Sequence, residues 1–140
     1  MKIIVILCLV LLVSCSQEPE VVTGPFVFKN GITYDQTTNE PITGIVEKFY
    51  ENGQLKVREY YKDGKEDGLH EGFYTNGQLE FSLTYKEGKR DGLWESYHIN
   101  GQLRGSGSSI DGKQDGVYVW FDSNGVPIMT RTYKNGVEVE

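Results

Sequence analysis

A period of two dominates the chain beyond its N-terminal stretch. Leu79-Glu80-Phe81-Ser82-Leu83-Thr84-Tyr85 sets a large apolar or aromatic side chain at every second position. That alternation predicts a half-buried strand with one face turned to a core. Leu55, Val57 and Tyr61 keep most of the same face one block earlier. The strand preceding each such stretch carries a ring at a fixed position, Phe49, Phe73, Tyr97 and Phe121. These four are the expected ladder of stacked core rings.

Two kinds of turn punctuate the strands. The first is Asn52-Gly53, Asn76-Gly77, Asn100-Gly101 and Asn124-Gly125, a dipeptide that tolerates positive φ and predicts a tight hairpin. The second is Asp63-Gly64-Lys65, Glu87-Gly88-Lys89, Asp111-Gly112-Lys113 and Asn135-Gly136-Val137. Both recur every 24 residues, which divides the chain into Gly44–Asp67, Gly68–Asp91, Gly92–Asp115 and Gly116–Glu140. Twelve of the 17 glycines fall on this lattice, so their excess is a repeat signal rather than low complexity. The chain has no alanine, the best helix former, and glycine costs about 1 kcal/mol in a helix interior. A single β-rich domain follows.

Two blocks depart from the pattern. After Leu103 the third reads Arg104-Gly105-Ser106-Gly107-Ser108-Ser109 and loses the large side chains that Phe81, Leu83 and Tyr85 supply in the second. Its core face is expected to be thin there and the block the weakest of the four. A local bulge accounts for that, as does a surface left open for a partner. The fourth block has Val126-Pro127 in place of Gln-Leu. Proline cannot donate into a central ladder, so a terminal edge strand or cap is predicted.

The repeating pattern G-x₄-(F/Y)-(Y/H)-x-N-G-Q-L-x₅-Y-K-x-G-K-x-D-G resembles the MORN-repeat variant found in bacterial envelope proteins and in proteins named as antitoxins. The resemblance runs from Gly44 to Glu140. Phe26-Val27-Phe28-Lys29-Asn30-Gly31-Ile32-Thr33-Tyr34, followed by Pro41-Ile42-Thr43-Gly44, resembles the opening half-repeat of such domains and assigns residues 25–43 to it. The family likeness implies an all-β fold, an elongated antiparallel sheet of stacked hairpins. It implies no single activity.

The N-terminus is of another kind. Met1-Lys2 is a short positive start, and Ile3 to Val13 is an unbroken apolar run of eleven residues. At 1.5 Å rise it reaches only about 16 Å, half of a roughly 30 Å hydrocarbon core, so a cleaved export signal over residues 1–14 is expected. Leu12-Val13-Ser14-Cys15 resembles a bacterial lipobox, which implies a diacylglycerol on the Cys15 sulfur, an acylated new amino terminus and a membrane-anchored protein of the cell envelope. Several acyl chains, at about 0.8 kcal/mol per buried CH₂, make a stable anchor. Ser16 stands where some enterobacterial lipoproteins carry the aspartate that retains them at the inner membrane, which by analogy favours the outer membrane. Cys15 with Ser16 to Gly24 reads as a tether, the nine residues after the cysteine reaching about 30 Å when extended. Cys8 leaves with the signal and Cys15 is alkylated, so no thiol remains for a disulfide or zinc.

Charge and residue type narrow the function. The chain carries 14 basic and 20 acidic side chains, a net charge of −6. Removing the signal takes one lysine and no acid, moving it to −7. Nucleic acid is excluded as a partner, because no basic run supplies the footprint such binding needs. The same sign disfavours anionic lipid head groups. No catalytic residue, metal ligand or cofactor is expected. His70 and His98 fall at different repeat positions, where His70 replaces Trp94 or Tyr118 and His98 replaces Tyr50 or Tyr74. Both read as substituted aromatic positions. Glu47, Glu71 and Glu95 recur every 24 residues, but repetition suits a solvated face better than an active site. Acids four apart, such as Asp63 and Asp67 or Asp111 and Asp115, could draw calcium, yet read as turn-capping groups beside neutralising lysines.

Binding remains. The leading expectation is a lipid-anchored module that presents a sheet face or an exposed edge to an envelope protein. Alternatives are an antitoxin-like or immunity-like role, in which the same surface occludes a toxin, and binding of envelope glycan through Trp94, Tyr118 and Trp120. Gly105 and Gly107 complete the candidate surface.

Overall fold

The computed structural model describes residues 19–139; the signal stretch and Cys15 lie outside them. The two turns alternate down the chain, and each closes by its own chemistry. At Asp63-Gly64 both residues are left-handed, with φ of 50° and 77°, and Glu87-Gly88, Asp111-Gly112 and Asn135-Gly136 repeat the geometry. Lys62 pairs with Lys65 and Lys86 with Lys89 across them, so these are the two-residue mirror-image hairpins. The Asn-Gly turns, expected to be the tight ones, are wider. There only the glycine is left-handed, Gly53 at 83°. Its N–H donates to the Tyr50 carbonyl at 2.9 Å and the Tyr50 N–H to the Gln54 carbonyl at 2.8 Å. Asn52 contributes its side chain instead, its Oδ1 accepting from the Gln54 N–H at 3.1 Å.

Strands run between these turns: β1 (Val21–Val22), β2 (Phe26–Lys29), β3 (Ile32–Asp35), β4 (Gly44–Phe49), β5 (Leu55–Lys62), β6 (Lys65–Phe73), β7 (Leu79–Lys86), β8 (Lys89–Tyr97), β9 (Leu103–Ile110), β10 (Lys113–Gln114), β11 (Gly116–Phe121), β12 (Pro127–Lys134) and β13 (Val137–Val139). From β4 onward each pairs antiparallel with the next, β10 pairing only with β9, in the order β1-β4-β5-β6-β7-β8-β9-β11-β12-β13. The fold is therefore all-β, a long antiparallel sheet of consecutive hairpins. At about 4.8 Å per strand the ten-strand path spans roughly 43 Å.

The beginning of the sheet differs from expectation in two ways. Val21 and Val22, read as the end of a tether, pair in parallel with Ile45 and Val46 as β1, and the Ile45 N–H donates to the Glu20 carbonyl at 2.8 Å. The β2–β3 hairpin, read as a half-repeat leading into the sheet, forms a separate two-stranded sheet. It is fastened by the Thr33 N–H donating to Gly64 O at 2.8 Å and the Ile42 N–H to Thr33 O at 3.1 Å. Asp35 accepts from the Thr37 and Thr38 N–H groups at 2.6 and 3.1 Å, a turn that carries the chain off the hairpin before Pro41. Those N–H groups hold the Asp35 carboxyl below its ordinary range.

Each repeat also carries a one-residue register shift near its wide turn, after Lys48, Gly72, Ser96 and Trp120. Lys56, Glu80, Arg104 and Ile128 are the extra residues. Beyond the shift Phe49 pairs with Leu55, Phe73 with Leu79 and Tyr97 with Leu103. The rings expected to stack thus close the hairpins against leucine, and Phe49 is 57% exposed. The aromatic pairs form elsewhere, among His70, Phe81, Tyr85, Trp94, Tyr118, Trp120 and Tyr133.

The expectation of a thin third block is also corrected. Its register shift is the one every repeat shares, and Gly105, Gly107 and Ser109 are buried. Rings from the flanking strands cover them: a Cβ on Gly105 would meet Trp94 Cη2 at 2.9 Å and Trp120 Cδ1 at 3.1 Å, and one on Gly107 would strike the Tyr118 ring. The proline expectation holds in part. Pro127 opens β12 opposite Phe121, but β12 is not the edge, because Thr132, Tyr133 and Lys134 pair with β13.

Because β9 is paired on both sides and roofed by rings, its amides should exchange hydrogen about as slowly as those of β7. The exposed β12 and β13 should exchange fastest. Mass-spectrometric hydrogen exchange checks this, and early exchange confined to β9 would restore the thin-block expectation.

Candidate functional site

Repeats are tied to one another by side chains that reach one block ahead. Asp67 accepts from the Glu87 N–H at 3.1 Å, Asp91 from the Asp111 N–H at 3.0 Å, and Asp115 from the Asn135 N–H at 3.1 Å. The acids of each block therefore cap the tight turn of the following block rather than their own. The Asn135 N–H, joined by Lys134, holds the Asp115 carboxyl below its ordinary range. At the wide turns the Tyr50 hydroxyl donates to Phe73 O and the Tyr74 hydroxyl to Tyr97 O, both at 2.7 Å. His98 Nε2 lies 3.0 Å from Phe121 O. It takes the tyrosine position and makes the tyrosine contact.

The two sheet faces differ. On one, the expected ladder of acids is interrupted by a cation: Arg58 reaches Glu47 at 2.8 Å and Glu71 at 3.9 Å. Glu95 instead accepts from the Tyr97 hydroxyl at 2.9 Å. Burial, with Glu95 adding to it, pushes that phenol up.

The opposite face carries Val46, His70, Trp94 and Tyr118 at one repeat position. At its first end His70 Nδ1 lies 2.8 Å from Glu66 and Nε2 lies 3.6 Å from Glu59, while Lys48 Nζ reaches Glu59 at 3.1 Å. The ligating atoms of Glu59, Glu66 and His70 fall within 4.8 Å of one another. Sequence reading missed this group because its members come from β5 and both ends of β6 and share no spacing. In the fold they form a charge network around a histidine. Beside them opens a cleft of about 710 Å³ between the β2–β3 hairpin and the sheet, walled by Phe26, Phe28, Val46 and Tyr61. Burial, then the charges of Glu59 and Glu66, push the Tyr61 hydroxyl up to about 12.

Further along, three of the expected surface residues converge. Trp94 stacks on Tyr118 with ring centres 6.0 Å apart, and Tyr118 lies 6.0 Å from Trp120. Tyr133 meets Tyr118 edge-on at 5.2 Å. Tyr118 is buried, and its hydroxyl donates to Ser108 O at 2.7 Å. Gly105 and Gly107 lie beneath these rings as their floor rather than beside them as open surface. Trp94 divides two open clefts, one of about 210 Å³ toward Gly112 and Gln114 and one of about 430 Å³ toward Phe81 and Ser96. Arg90 lines both, and Glu80 and Arg104 line the larger. The two register-shift residues could have been found in the sequence by their common 24-residue spacing, but not their side of the sheet.

A sheet built of consecutive hairpins, each braced to the next by a side chain from the same repeat position, defines a hairpin-repeat protein. The MORN repeat variant matches residues 42–64, 66–87, 90–110 and 114–135, more than half of the chain, and the protein belongs to that family. No curated protein matches it significantly. Among the described residues no helix is long and apolar enough to cross a membrane.

Neighbouring residues on β9 should respond in opposite ways to the same substitution. Gly107→Val forces side-chain atoms into the Tyr118 ring and should cost about 1 to 3 kcal/mol. Ser106→Val points to the other face and should stay within about 0.5 kcal/mol. Urea denaturation measures both, and equal costs would place no ring over Gly107.

Proposed function

We propose that the mature chain is a lipid-anchored, non-enzymatic binding module of the bacterial cell envelope that docks a protein partner at the β12–β13 end of its sheet. One observation carries this reading. The described sheet ends on β13, whose outer side pairs with no other strand, and the apolar side chains there face water, Ile128 65% and Val137 66% exposed. An unpaired edge beside exposed apolar side chains is the geometry that strand addition uses. Glu138, on β13 itself, puts a charge on that edge and guards against indiscriminate pairing.

The anchor supports the same arrangement. With β1 beginning at Val21, only residues 16–20 separate Cys15 from the sheet, about 17 Å when extended. The lipid would hold the β1 end close to the bilayer, while the β12–β13 end stands roughly 43 Å away across the sheet. The outer membrane is the membrane Ser16 favours.

Two outcomes follow. Cys15→Ser should abolish labelling by palmitate and release the protein from membranes, as fractionation would show; unchanged mass and retention would contradict the anchor. Ile128→Glu combined with Val137→Glu, at exposed positions, should leave the melting temperature nearly unchanged while removing the partner crosslinked in intact cells. Retention of that adduct would place docking elsewhere, and a toxin as the captured protein would give the module an immunity role.

A further inference from the structure

The chain has four arginines. Arg58 and Arg131 are ion-paired, to Glu47 at 2.8 Å and to Glu138 at 3.1 Å. Arg90 and Arg104 make no ion pair among the described residues, and both line the 430 Å³ cleft beside Trp94 and Trp120. A protein of net charge −6 thus sets on one aromatic cleft the two guanidinium groups that have no ion pair among the described residues.

We propose that this cleft binds a sugar bearing a carboxylate, such as a uronic acid residue within an oligosaccharide. Its three recognition elements match that ligand. The indoles of Trp94 and Trp120 are half-buried and offer flat apolar surface to the C–H face of a pyranose. Arg90 and Arg104 are exposed at the cleft's rim, Arg90 Nε donating only a long 3.5 Å bond to the Tyr85 hydroxyl, and their planar forks suit a carboxylate. Glu80 and the Ser96 hydroxyl, on the same cleft, are the groups that hydroxyls of a sugar would meet. The smaller cleft across Trp94, also lined by Arg90, provides a second compartment for an adjoining ring.

An acidic peptide fits less well. Strands β7, β8, β9 and β11 each have neighbours on both sides, so this face offers no free backbone row for main-chain recognition, which works at sheet edges. A sugar needs only side chains. No lining residue of the cleft comes from β13, so docking at Val137 on that strand and sugar binding in the cleft can be tested independently.

The test uses the full chain in detergent, with trigalacturonate as the probe and the emission of the protein's two tryptophans as the signal, alongside calorimetry. Trigalacturonate should quench the emission and bind. Its methyl ester, which keeps the rings and loses the charge, should bind about tenfold more weakly or worse. Arg90→Gln and Arg104→Gln, both at exposed positions, should each weaken binding by a similar factor while circular dichroism stays unchanged. Val137→Glu alone, on β13 away from the cleft, should bind the sugar as the unaltered protein does. Equal binding of acid and ester, or arginine variants that bind normally, would overturn the proposal. So would silence toward trigalacturonate, N-acetylmuramic acid and a hyaluronate tetrasaccharide at millimolar concentration. Stronger binding of hexaglutamate than of any of these would assign the cleft to acidic peptides instead.

Discussion

Beyond the β2–β3 hairpin at its first end, the described sheet has no second layer and must find cover for its apolar face within itself. That constraint shapes the whole molecule. Among the described residues only Ile42, Val46, Leu83 and Tyr118 are buried apolar side chains, and none completely. In place of a sandwich interior the chain lays rings from alternate strands over one another and over the bare backbone between them. Glycine at 105 and 107 admits the rings of Trp94, Tyr118 and Trp120 to the sheet surface. Aromatic pairs at this spacing add about 0.5 to 1.5 kcal/mol beyond the area they bury. The small residues of β9 and the large ones of β8 and β11 are two halves of one packing solution.

Covering a face this way leaves it half open, and the same rings can then meet a ligand. Their register is held by bonds that run from one repeat to the next. Each brace from Asp67, Asp91 or Asp115 reaches the turn one block ahead, as Tyr50 and Tyr74 do at the other margin. At solvent-exposed turns such bonds are individually modest. Repeated along both margins they make each hairpin depend on its neighbour. Charge is sorted along the ring-bearing face as well: Glu59 and Glu66 surround His70 at one end, whereas Arg90 and Arg104, with no ion pair among the described residues, line the cleft beside Trp94. A surface of graded chemistry is thereby displayed on a regular frame.

The frame was legible in the sequence because turns and alternation are local. Leu79 to Tyr85 forms β7, the glycine lattice sets every hairpin, and His98 takes the tyrosine place assigned to it. What escaped was non-local. A one-residue shift near each wide turn moves Phe49, Phe73 and Tyr97 into hairpin-closing pairs with leucine, so a ring at a constant repeat position was no guide to stacking. Gly105 and Gly107 looked like missing core because their partners lie on other strands. The Glu59, Glu66 and His70 group, and the pairing of Arg90 with Arg104 at one cleft, arise only when strands are placed side by side. Residues 21 and 22 looked like tether, since two valines in parallel pairing leave no periodic signal.

The measurement that bears most directly on ring cover is a double-mutant cycle between Gly107 and Tyr118, read as unfolding free energy. With Tyr118 in place, Gly107→Ala should cost about 1 to 3 kcal/mol, because the added methyl meets the ring. In a Tyr118→Val background the same change should cost close to nothing, giving a coupling of at least about 1 kcal/mol. Additive costs across the cycle would contradict the account, for they would mean that the Tyr118 ring does not rest on the β9 backbone.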